Sequence, residues 1–221
     1  MKRLSLLAAS IALAASANAA TVSFQYGLPV VLATTEINQT GSLSFFNSAQ
    51  GVLTGATLTM SGGASFTFGG TNTAAQAQNA NITSSTNLFF GSSSGVINAA
   101  IADGITLSAS SGVLNYAVGQ TRNFGPIAQA GTTVDTFSTV ADLAALTGAG
   151  NFTVNCQTLS GLTVLGGGGN ITTTQATQAG CGAQIVYTFT PAVTRVPEPA
   201  SLALVGLALA GVGFTARRRK A

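Results

Sequence analysis

The period of its apolar residues restricts this chain most: side chains suited to a core return at every second position in short runs. Val22, Phe24 and Tyr26 alternate with polar residues, as do Ala56, Leu58 and Met60, then Phe66 and Phe68, and near the end Ile185, Tyr187 and Phe189. A two-residue period turns one face of an extended segment to a core and the other to solvent, the pattern of half-buried antiparallel strands. Glycine marks most joints, at Gly62-Gly63, Gly69-Gly70, Gly91, Gly95, Gly104, Gly112 and Gly166 to Gly169. Ser138 to Leu146 departs from the pattern. Its apolar Val140, Leu143, Ala144 and Leu146 before Gly148 predict a short amphipathic helix across one end of a sheet. Thr71 to Ser85 and Gly166 to Ala179, rich in Thr, Asn, Gln, Gly and Ala, read as long loops or weak edge strands. The expected fold is all-β, an antiparallel, jelly-roll-like β-sandwich with one short helix.

Charge is scarce. Only 6% of the 221 residues are charged and none is His, so a Ser-His-Asp or Cys-His arrangement and an imidazole metal site are excluded. The formal net charge is +3, but residues 20–196 alone sum to −2, so the positive charge lies at the two ends. Residues 20–196 hold Arg122 and Arg195 against Glu36, Asp103, Asp135 and Asp142, so a basic footprint for nucleic acid is missing. Eleven of the 12 Phe fall in that same stretch, which favours a folded core over a disordered low-complexity polypeptide.

The ends read as targeting segments. Lys2 and Arg3 precede the apolar run Leu4 to Ala15, and Ala17-Asn18-Ala19 supplies small residues where a signal peptidase reads. Residues 1–19 are therefore an expected signal peptide, cleaved between Ala19 and Ala20. At the other end residues 193–199 form a linker, and Ala200 to Ala216 is an apolar stretch about 25 Å long if helical, the thin end of a membrane span. Arg217, Arg218, Arg219 and Lys220 follow, holding residues 217–221 on the cytoplasmic side and everything upstream outside. Val196-Pro197-Glu198-Pro199 sits just before the span, where Pro197 and Pro199 keep the backbone extended and remove two N–H donors. Pro-Glu-Pro, an apolar helix and an Arg-rich end, in that order, resemble the PEP-CTERM sorting signal of Gram-negative bacteria. That resemblance implies signal peptidase and exosortase as export partners. It also implies a membrane contact only through the C-terminal helix before processing, and a final place at the cell surface or in the extracellular matrix.

The body, residues 20–192, resembles the choice-of-anchor E domain. The resemblance rests on Val22-Ser23-Phe24, on Leu43 to Phe46 with Gly51 to Leu58, on Gly148 to Val154 and on Ile185 to Pro191. It implies a sandwich-like body with no catalytic activity attached.

Few residues could carry chemistry. Cys156 and Cys181 are the only cysteines, and an even pair in an exported body predicts a disulfide, with free thiols as the alternative. Asp135 and Asp142 read as carboxylates at or before the start of the short helix, while Glu36 and Asp103 stand isolated. Calcium on Asp103, Asp135 or loop carbonyls lacks the spaced acidic run of a Ca²⁺ loop. Asn38, Asn81, Asn151 and Asn170 open Asn-x-Thr sequons of the kind an Asn- and Thr-rich chain produces by chance. Gly166 to Gly169 lacks the Lys-Ser/Thr of a phosphate loop. No catalytic, cofactor-binding or metal-ligating set is expected. The expected role is a structural exported protein of an exopolysaccharide or biofilm layer, with extracellular polysaccharide as a candidate partner. A carbohydrate-binding or adhesive module is the alternative, with Tyr26, Tyr116, Phe89 and Phe90 as candidate contacts against a competing role in the core. A hydrolase built on Asp103 or Asp142 comes third.

Overall fold

The computed structural model describes residues 19–192 and Gly206. The expected signal peptide up to Asn18, the linker 193–199, the cytoplasmic tail 217–221 and all of the span 200–216 but Gly206 lie outside the described residues. No helix among the described residues is long and apolar enough to cross a membrane.

Ten strands and two short helices follow in order: β1 (Ala20–Tyr26), β2 (Ala33–Thr34), β3 (Asn38–Ser44), β4 (Gly51–Asn72), β5 (Gln78–Ser92), α1 (Gly95–Ala100), β6 (Ile105–Ser110), β7 (Leu114–Tyr116), β8 (Thr121–Phe137), α2 (Val140–Leu146), β9 (Asn151–Gly166) and β10 (Ile171–Pro191). One sheet runs β1-β10-β4-β8, with β2 also on β10; the other runs β3-β9-β5-β6, with β7 also on β5. The pairings nest: β1 with β10, β3 with β9, β4 with β8, β5 with β6, each antiparallel. The chain is thus one long hairpin whose arms roll up, and pairing of β10 on β4 and β9 on β5 closes the roll. This strand order is that of a jelly roll, within the β-sandwich class that the alternation predicts.

The inward positions match the alternation. Ala56, Leu58, Met60, Phe66 and Phe68 of β4 and Ile185, Tyr187 and Phe189 of β10 are all buried. They feed two core clusters, one holding Leu43, Phe46, Phe152 and Tyr187, the other Phe66, Phe68, Ile82 and Tyr116. Both helices lie against the first cluster, which takes in Ile97, Ile101 and Leu146.

Three expectations are corrected. Of the stretches read as loops or weak edges, Gln78 to Ser85 belongs to a central strand, since β5 lies between β9 and β6 or β7, whereas Ile171 to Ala176 of β10 pairs with β4 alone and is an edge, as expected. Their inward positions are small or hydroxylic, as in Ala80, Ser84 and Thr86 of β5 and Thr177 and Ala179 of β10, so the hydrophobic period fades while the strand persists. Gly62-Gly63, Gly69-Gly70 and Gly91 lie inside β4 and β5, not at joints. At Gly62 the sheets approach closely, and a Cβ there would stand 2.7 Å from Leu88 Cδ2, so that side chain would have to shift. Finally, the described residues 19–192 hold two α-helices, not one. α1 went unread because its six residues present only Ile97 as a buried side chain. In α2 the predicted apolar face is narrower than expected: Leu146 is buried, while Val140 is 86% exposed.

Candidate functional site

The predicted disulfide is formed and crosses the sandwich. Cys156 stands in β9 opposite Gln39 and Phe90, Cys181 in β10 opposite Gly62, and the bond joins the two sheets with a Cα–Cα distance of 6.6 Å. Both cysteines are buried. Between the ranges where β1 and β2 pair with β10, the Cys181 N–H donates to Gln39 Oε1 of the other sheet at 3.3 Å. A cleft of about 450 Å³ opens beside this crossing, lined by Tyr26, Leu28, Pro29, Gln39 and Thr40 among others. Tyr26 is half-buried there, its ring packed on Gly41, and burial pushes its hydroxyl pKa up.

The carboxylates distribute differently from the sequence reading. Asp142 is where it was placed, in the first turn of α2: its N–H donates to Thr139 Oγ1 at 3.2 Å, and that hydroxyl donates to Asp142 Oδ2 at 2.7 Å. Asp135 is not at the helix. It lies in β8 and, with Asp103, lines a cleft of about 280 Å³, so Asp103 is not isolated either. Burial, then the Asp103 charge, raises the Asp135 pKa above its ordinary value. Glu36 accepts the Ser160 N–H at 2.8 Å, at the mouth of a third cleft with Gln175 and Thr177. No group of three or more His, Cys, Asp or Glu among the described residues is placed to hold a metal ion.

Of the four candidate aromatics, Tyr116 is corrected outright: it is fully buried in the second core cluster, with the Arg122 guanidinium 5.7 Å from its ring centroid. Phe90 turns inward against both clusters. Phe89 turns outward and is 51% exposed. Its neighbours on the outer face of the second sheet are amides and one apolar residue, Leu159. Gln157 stands opposite it, Asn38 opposite Gln157, and the next pair along is Asn87 with Leu159. Asn87 Oδ1 accepts from Thr106 Oγ1 at 2.8 Å. Sequence reasoning missed the amides around Phe89, because they come from three strands far apart in the chain. The orientation of Phe89 itself was readable, since Leu88 and Phe90 hold the inward parity of β5.

Ala19 is exposed and Ala20 opens β1, opposite Phe189, so the predicted signal-cleavage bond lies at the boundary of the first strand.

Comparison with known proteins locates the sorting function at the other end. Residues 195–220 match the PEP-CTERM protein-sorting motif, a range that includes Pro197, Glu198, Pro199 and Arg217 to Lys220. The chain therefore carries the mark of an exported protein that is transiently anchored in the membrane and processed by exosortase. No curated protein matches the chain. Among solved structures, a chain of the T13 IBDV viral particle is similar at 10% identity and a TM-score of 0.18, over 87% of this chain and 46% of that one. A chain of the infectious bursal disease virus Gt strain is similar at 10% identity and a TM-score of 0.18, over 88% and 47%. This chain spans about half the length of either, and at such scores the likeness carries no structural argument.

Proposed function

We propose that this protein is a non-enzymatic structural component of an exopolysaccharide or biofilm layer, on the surface of a Gram-negative bacterium or in its matrix. The PEP-CTERM motif over residues 195–220 is the observation that carries the reading. The resemblance of residues 20–192 to the choice-of-anchor E domain supports it, since that domain brings no catalytic activity. The surface chemistry supports it too. The outward positions of both sheets are Ser, Thr, Asn, Gln, Gly and a few apolar residues, without a charge. Such faces pack densely against neutral, hydrated polymers without long-range repulsion.

Intact-mass spectrometry of the protein from its native host, fractionated into membrane, surface and medium, tests this. The expected species in the surface or medium fraction spans residues 20 to about 196 and is two hydrogens light for the disulfide. Recovery only in the membrane fraction with Arg217 to Lys220 retained would overturn the reading.

A further inference from the structure

We propose that the outer face of the second sheet around Phe89 is a binding site for a neutral glycan chain. A pyranose ring would lay its C–H face on Phe89 and Leu159, with its hydroxyls on the amides of Asn87, Gln157 and Asn38. This deepens the extracellular role proposed above and rests on it.

The arrangement comes from strand register. Phe89 of β5 faces Gln157 of β9, and Asn87 faces Leu159, so two apolar and two amide side chains alternate in a checkerboard. Directly opposed side chains stand about 5 Å apart and diagonal ones about 7–8 Å, the scale of one sugar ring and its rim of hydroxyls. Both apolar members are available to a ligand, Phe89 being 51% and Leu159 56% exposed. Gln157 and Asn38 are exposed as well. Because Asn87 Oδ1 already accepts from Thr106, its amide nitrogen remains to donate outward.

Charge selects the class of ligand. The outward positions of β3, β5, β6, β7 and β9 contain no Lys, Arg, Asp or Glu, and the Glu36 carboxylate just before β3, which accepts the Ser160 N–H beside Leu159, would repel a polyanion. A nucleic acid or a polyanionic polysaccharide needs cations for its affinity, and here it would find none. A neutral polyol needs an apolar plate with donors and acceptors at its edge, which is what an aromatic ring bordered by carboxamides supplies.

The test is retention of the full chain, solubilised in lauryldimethylamine oxide (a detergent without a sugar headgroup), on cellulose, chitin, β-1,3-glucan and dextran, with alginate as the anionic comparison. At least one neutral polymer should retain it. Phe89→Ala and Gln157→Ala should each weaken retention about tenfold. Val52→Ala, which removes a 69% exposed apolar side chain from the other sheet, should leave it unchanged. Thermal melts of all three variants should match the parent, which separates lost binding from lost folding. Retention on none of the neutral polymers, retention on alginate alone, or equal retention of both face variants would overturn the site. So would a dimer in sedimentation that Phe89→Ala dissolves while retention persists, for the face would then be an interface between copies. Each of these failures leaves the processed mass untouched, so the site can fall while the extracellular reading stands.

Discussion

Asp135 shows how an inward-leaning carboxylate reads at the scale of one residue. Burial and the nearby Asp103 both favour its protonated form, raising its pKa in the folded protein. A raised folded-state value means that protonation favours folding. The contribution is complete below the unfolded carboxylate pKa of about 4 and is lost as pH rises through the folded value. Asp135→Asn should therefore melt higher than the parent at pH 7, with the gap closing as pH falls below about 4. Thermal unfolding across that range checks it, and an equal or lower melting temperature at pH 7 would show that the carboxylate is held by a favourable partner. The sequence could not bring Asp103 and Asp135 together, because one follows α1 and the other lies in β8, on different sheets' edges of the chain path. The place of Asp142 was legible, since a helix start depends on residues three apart.

At the scale of the element, α2 is short enough for its cap to matter. Its seven residues bury only Leu146, so little packing compensates for a lost terminus. Thr139 holds the first turn through the Asp142 N–H and carboxylate. Thr139→Ala should cost about 1 kcal/mol, read as a lower urea midpoint with an unchanged slope. An unmoved midpoint would mean that the helix is held from its far end, where the Phe46 N–H donates to Leu146 O at 3.0 Å. Strand existence was legible wherever inward residues were large, as in β4 and the second half of β10. It was hidden in β5 and the first half of β10, where Ala, Ser and Thr occupy inward positions and the polar outward residues look like loop. Glycine misled for a related reason. It signals both a turn and a place where sheets approach closely, and only neighbours distant in sequence, such as Leu88 beside Gly62, tell the two apart.

At the scale of the whole molecule, the Cys156–Cys181 bond ties together sheets that two apolar clusters and cross-sheet hydrogen bonds also hold. With a sequence separation of 25, its closure is worth about 3 kcal/mol on the chain-entropy model. The double variant Cys156→Ala, Cys181→Ala should still fold, but with stability lower by about that amount in chemical denaturation. No loss at all would show that the cross-sheet bond does not constrain the unfolded chain of the exported protein. The sandwich class, the pairing of the two cysteines and the sorting motif were legible in the chain alone, because alternation, cysteine count and a terminal tripartite signal are all local or compositional properties. The rolled strand order, the burial of Tyr116, the meeting of Asp103 with Asp135 and the amides around Phe89 emerge only from the folded arrangement. Each of those depends on register between strands far apart in the chain, where a shift of one residue would turn every side chain to the opposite face.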